Sequence, residues 1–241
     1  MDDGLRKLAM GIAVLALLAL LTACEIEIGS GPKGSGIESS AKREVASFGR
    51  VDLRGAADVS IVARQARSVT VRGDDNLLGR VKTKVEGDTL VISTFRYRSK
   101  IGMTVEIGVA ALRGVELSGS GTMDVHKLSG ASFSGGLSGS GDINVDGKVD
   151  GLDLDISGAG DINASGMTDS LKVEISGAGE AQLDQLSARD AQVDISGAGD
   201  VSLRVTNFLN ASISGAGDIS YAGNPRRLIK KVSGDGTISA R

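Results

Sequence analysis

Five acidic residues, Asp142, Asp161, Glu180, Asp200 and Asp218, each stand four places after a serine, at the end of a Ser-Gly-x-Gly run. Glycine-rich loops beside acids can form an anion cradle, a metal loop or a carboxylate pair for catalysis, and spacing separates the three. An anion cradle needs a strand, a glycine loop and then a helix whose N-terminus faces the phosphate. Here the following residues, DINV, DINA and DVSL, are strand-like, and Asp161 or Asp200 would repel an anion. Calcium-binding β-rolls use the nonapeptide GGxGxDxUx, with ligands from successive short turns. In this chain the acid directly follows the second glycine and recurs only after about 19 residues, which is the wrong spacing. If the units stack, the five acids form one column with neighbours about 4.8 Å apart. Like charges so placed must lie in solvent, bind cations or carry raised pKa values. A solvated face that discourages lateral sheet pairing is the plainest outcome. Weak Ca²⁺ binding leaves the column a candidate cation site; no dedicated metal site and no cofactor are expected.

The serines of the same runs, at 118, 138, 157, 176, 196, 214 and 233, would form a hydroxyl ladder. None has the histidine and acid that activate a serine nucleophile, and the single histidine, His126, reads as a surface residue. Glycosidases need two carboxylates across one bond, one of them kept protonated. Acids are plentiful here but none is singled out, and only four Phe and two Tyr exist to stack on sugar rings. No catalytic residue is assigned; a carbohydrate-active β-helix enzyme is the alternative class. Arg72-Gly73-Asp74 spells a cell-adhesion tripeptide where a strand meets a turn, but a match of that length carries little weight.

The elements that must position these residues follow from repetition. The serine-to-serine steps are 20, 19, 19, 20, 18 and 19 residues, a period that indicates a solenoid. Within GLDLDISGAGDINA, Leu152, Leu154, Ile156, Gly158, Gly160, Ile162 and Ala164 occupy alternate places between polar residues. Period two means strands with one buried face. Units of this length bury that face only by stacking. The expected fold is all-β: a single-stranded parallel β-helix of about 19-residue coils over residues 101–241, preceded by a β-rich section over 44–100. Gly158 and Gly160 then sit at corners, where close packing or an unusual φ requires glycine. The insert DDNLLGRV predicts one short helix, with Asp74 and Asp75 at its start and Gly79 at its stop.

The N-terminus has Arg6 and Lys7, an apolar run from Leu8 to Leu21, and small residues before the only cysteine, Cys24. That is the layout of a secretory signal over 1–23, and the run is short for a membrane span, which needs about 20 residues. Leu21-Thr22-Ala23-Cys24 resembles a bacterial lipobox, which implies cleavage before Cys24 and acylation of its thiol. Several acyl chains hold a protein on a membrane, each buried CH₂ contributing about 0.8 kcal/mol. Glu25 rather than Asp follows the cysteine, which favours the outer membrane. Residues 24–43, rich in Gly, Ser and charge, read as a flexible tether. A net charge of -3 and the lack of a basic cluster interleaved with aromatics argue against a nucleic-acid partner. The expected partners are a membrane, through the N-terminal lipid, and an envelope glycan or protein.

Together, F-x-x-V-x-L from Phe48, ADVSIV, SVTVRGDDNLLGRVKTKV, EGDTLVIS, VELSGSGTMDV and the SGAGD units resemble the bacterial family called putative auto-transporter adhesin, head GIN domain. The similarity runs from about Phe48 to Ser239. It implies a β-helical cell-envelope protein, often a lipoprotein, with a structural or adhesive role.

Overall fold

The computed structural model describes residues 31–241. The expected signal over 1–23 and Cys24 lie outside the described residues.

Alternating apolar residues build five long strands that pair in parallel in chain order: β9 (Thr122–Leu137), β10 (Asp142–Ile156), β11 (Asp161–Ile175), β12 (Glu180–Ile195) and β13 (Asp200–Ile213). Three short ones, β14 (Ile219–Ala222), β15 (Arg227–Val232) and β16 (Ile238–Ala240), complete the stack. The result is a parallel β-solenoid of about 7 turns with coils of about 19 residues. Register places like on like: Ile143 faces Ile162, Leu152 faces Leu171 and Ile156 faces Ile175. These side chains form a continuous dry core, Leu154, Ile156, Ile162 and Val173 being fully buried. Each such side chain contributes about 1.5–3 kcal/mol on leaving water.

Each long strand turns once within itself, then passes through the Ser-Gly-x-Gly corner to the next coil. The uneven repeat steps are absorbed at the internal bend: register shifts fall between Val145 and Gly147, between Asn163 and Ser165, and between Leu183 and Ser187. The corner itself stays invariant because it has no room to vary. A Cβ added at Gly139, Gly158, Gly177, Gly197, Gly215 or Gly234 would overlap the carbonyl oxygen of the glycine one coil before. Close approach, not a left-handed φ, is therefore what requires glycine at Gly158 and Gly160, neither of which has a positive φ.

The start of the stack departs from chain order. β2 (Arg50–Arg54) and β3 (Asp58–Ala63) lie directly beneath β8 (Gly114–Leu117) and the first half of β9, with Leu53 under Leu117 and Val59 under Met123. Beneath them in turn lie β6 (Thr89–Ser93) and β7 (Met103–Val109), which come later in sequence. Arg54-Gly55-Ala56-Ala57 is thus a corner equivalent to Ser118-Gly119-Ser120-Gly121, and Gly119 packs on Gly55. The expected boundary near residue 100 does not divide the fold, because residues on both sides of it belong to the same stacked coils and residues 32–241 form one compact unit.

Antiparallel strands finish this end: β5 (Lys82–Glu86) on β6, and β1 (Glu38–Lys42) on β4 (Ser68–Asp74), which lies on β7. The predicted helix is present as α1 (Asp75–Leu78), with Asp74 at its N-cap, Gly79 at its C-cap, and Leu77 and Leu78 buried. The expected tether over 24–43 is corrected in its last part. β1 pairs along its length with β4, and Lys33 bridges Arg98, since the backbone of β4 would otherwise present an open edge.

Candidate functional site

The stacking brings the five acids into one file, Asp142 beside Asp161 and Glu180 beside Asp200. Their carboxylates serve the backbone. Asp161 accepts the N–H of Glu180 at 3.1 Å, Asp200 that of Asp218 at 2.7 Å, and Asp218 that of Thr237 at 2.7 Å. These three acids thus tie their own corners to the next coil, which offsets repulsion along the file. Among the described residues no group of three or more His, Cys, Asp and Glu is arranged to hold a metal ion.

The repeat serines are exposed and stack through the main chain: the N–H of Ser157 donates to the carbonyl of Leu137, and that of Ser176 to Ile156. His126 is exposed at a bend. The tripeptide Arg72-Gly73-Asp74 is not displayed: Arg72 pairs with Glu106 at 2.8 Å and Asp74 is fully buried. Asp74 instead accepts the hydroxyl of Ser99 and, at 2.6 Å, the N–H of Gly36. The Ser99 hydroxyl first, then the backbone donor, holds its carboxyl below the usual carboxylate range.

Two further files escaped the sequence-based search. Asp155, Glu174 and Asp194 form a second acidic file, continued beyond Gly136 by Glu116 and Asp52. Burial, then Glu174 and Asp153, pushes the Asp155 carboxyl up; burial also raises Glu116, with Arg50 opposing. The signal was there to find, since each of Glu116, Asp155, Glu174 and Asp194 stands two places before a repeat serine. An amide file runs through Asp124, Asn144 and Asn163, where Asn144 donates to Asp124 at 2.8 Å and Asn163 to Asn144 at 2.9 Å.

The corner of the coil formed by β6 and β7 is unlike the rest. Four residues, 157–160, take β10 to β11, but nine, 94–102, take β6 to β7. The longer loop stands off the glycine corners and leaves an open cleft of about 730 Å³, lined by Phe95, Arg96, Tyr97 and Arg98 on one side and Gly55, Gly119 and Ser120 on the other. Thr94 accepts the N–H of Ala56 at 2.8 Å and Tyr97 donates to the Ala56 carbonyl at 3.1 Å, so both ends of the aromatic segment are tied to the corner. The Phe95 and Tyr97 rings lie 5.8 Å apart at 59°.

A profile of the family described as "Putative auto-transporter adhesin, head GIN domain" matches residues 47–225. The chain belongs to that family. No curated protein matches this head GIN domain protein. Among solved structures it is similar to a "putative adhesin" from Bacteroides fragilis, with a TM-score of 0.80 and 22% identity over 88% of this chain and all 100% of that one. A "putative lipid binding protein" from Parabacteroides distasonis gives 0.72 and 23% over 88% and 100%. A "putative adhesin" from Parabacteroides merdae gives 0.68 and 22% over 87% and 98%. At these identities the likeness establishes the fold, the same coil stack in each, and the head GIN domain family is one described as adhesin-like.

Proposed function

We propose that this head GIN domain protein is a non-catalytic, adhesin-like module of the cell envelope, anchored to a membrane through acylated Cys24. The observation that supports it best is the way polar side chains leave the core: in single files, one per coil, with three carboxylates of the first acidic file, Asp161, Asp200 and Asp218, committed to neighbouring backbone N–H groups. A rigid surface of that kind presents the same chemistry repeatedly along one direction, which suits contact with an extended partner such as an envelope glycan or protein. The lipobox-like Leu21-Thr22-Ala23-Cys24 supports the anchor, and family membership supports the envelope location. A glycan and envelope-protein binding screen on the full-length protein, run beside protease treatment of intact cells, tests this. Binding together with cleavage of the exposed protein is expected; no binding and full protection would leave a buried structural role instead. Replacing Cys24 by Ala should release the protein from the membrane fraction.

A further inference from the structure

We propose that the cleft under loop 94–102 is a binding subsite for an acidic saccharide, one carrying a carboxylate on a pyranose ring. This rests on the adhesive function proposed above and names a place and a chemistry for it.

The first argument is the loop. The Ser-Gly-x-Gly corners make their turn in four residues, as 157–160 does, or five, as 214–218 does, so nine residues at 94–102 are more than the turn requires. Extra loop on a rigid scaffold is where binding residues concentrate. This one is tied down throughout. Thr94 N–H donates to the Arg54 carbonyl at 2.9 Å, Ser99 reaches the buried Asp74, and the Arg98 backbone exchanges hydrogen bonds with Pro32 and Gly34 at 3.0 and 2.8 Å. The Ser99 hydroxyl also accepts the N–H groups of Ile101 and Gly102 at 3.0 Å each. The backbone of a loop held this way loses little freedom on binding.

The second argument is the lining. The whole chain has four Phe and two Tyr, and one of each faces this cleft. Both are only partly buried and pack on each other in a tilted contact, so they form one apolar wall of the cleft rather than a slot. The C–H face of a pyranose can lie against such a wall. Ser120, exposed on the opposite wall, supplies a polar group for a ring hydroxyl, the mixture of apolar wall and few polar groups expected of a ligand site.

Charge decides which sugar. Arg96 and Arg98 are both exposed on the cleft, two residues apart, and among the described residues neither forms an ion pair. In a chain of net charge -3 with two acidic files, this is a local positive site. A planar guanidinium matches a carboxylate with two parallel hydrogen bonds.

The test is calorimetric titration of the full-length protein with trigalacturonate and, separately, with neutral maltotriose. Trigalacturonate should bind and maltotriose should bind at least about tenfold more weakly. The doubly substituted Arg96→Glu/Arg98→Glu protein should lose about tenfold or more in trigalacturonate affinity, whereas Arg226→Glu/Lys231→Glu, with the same change of net charge just before and on β15, should bind as the parent does. Phe95→Leu should weaken binding of the saccharide too; if that variant misfolds, the exposed arginine pair still decides. Equal affinity for the two sugars, or an unaffected Arg96→Glu/Arg98→Glu protein, overturns the assignment. If the envelope screen finds partners that the Arg96→Glu/Arg98→Glu protein retains, the cleft assignment falls and the adhesive function stands; if the screen also finds none, both fall.

Discussion

The two ends of the solenoid solve the same problem by different means. A stack of coils leaves its core and its strand edges open at both ends, and such ends recruit further strands unless something stops them. At the start, antiparallel β5, β4 and β1 take up the edge hydrogen bonds, and α1 lays Leu77 and Leu78 on the core. At the finish, the described residues supply only the two short parallel strands of the last coil. β15 pairs only with β13 and β16 only with β14, and every residue of β15 is exposed. What replaces the cap is charge. Lys230 stands over Ala211, an inward position in the coil below. Its ammonium sits 4.8 Å from the Tyr221 ring centroid and donates to the Ile238 carbonyl at 3.0 Å. An inward lysine on an edge strand would leave an incoming strand with a buried, unpaired cation. One end is thus closed by packing and the other is guarded electrostatically, which teaches that covering a core and protecting an edge are separable tasks.

The largest effect should come from Leu77. Truncating it to Ala removes fully buried surface under α1 and should destabilise by about 2–5 kcal/mol. Leu228→Ala, at a position 40% exposed on the other end, should stay below about 1 kcal/mol. Denaturant melts of the two proteins measure the contrast, and equal losses would break it. Next in size is Lys230→Leu. Monomer stability should hold or rise, while sedimentation should reveal association that the parent lacks. A variant that stays monomeric would mean the edge is protected by something other than the inward cation.

The smallest effects are acid-linked and opposite in sign. Asp74 is held below the ordinary carboxylate range, so it contributes stability that is complete above the unfolded value and lost as pH falls through its folded value. Asp155 and Glu116 are pushed up, so they weaken the fold above their raised values, and that penalty is relieved as pH falls from there to the ordinary range. Mild acid should therefore tighten the coil body slightly, and stronger acid should loosen loop 94–102. Hydrogen exchange across a pH series reads both, and Asp74→Asn should abolish the loop's acid response.

Much of the coil body was legible in the chain because each link is repeated locally. Alternation at Leu152, Leu154 and Ile156 set the buried face, and the step between serines set the stack. The spacing sets Asp142 beside Asp161 and Glu180 beside Asp200, but the hydrogen bonds that Asp161, Asp200 and Asp218 accept from the next coil's backbone were not readable, since these depend on how far each corner stands from its neighbour. The second acidic file is equally regular in the chain, but the burial that raises Asp155 and Glu116 depends on the neighbouring strands and is not written in the spacing.

By itself the sequence determined the period, the inward face and the glycine corners, because a parallel stack sets each residue against its counterpart about 19 places away and identical neighbours enforce identical chemistry. Only the tertiary structure decided that Leu53 lies under Leu117, that the coil of β6 and β7 lies outside the one that precedes it, and that loop 94–102 stands off the corners to form a cleft. Those contacts join segments separated by unequal, unrepeated lengths of chain. No period announces them, and hydrogen-bond closure of the exposed first coil fixes them instead.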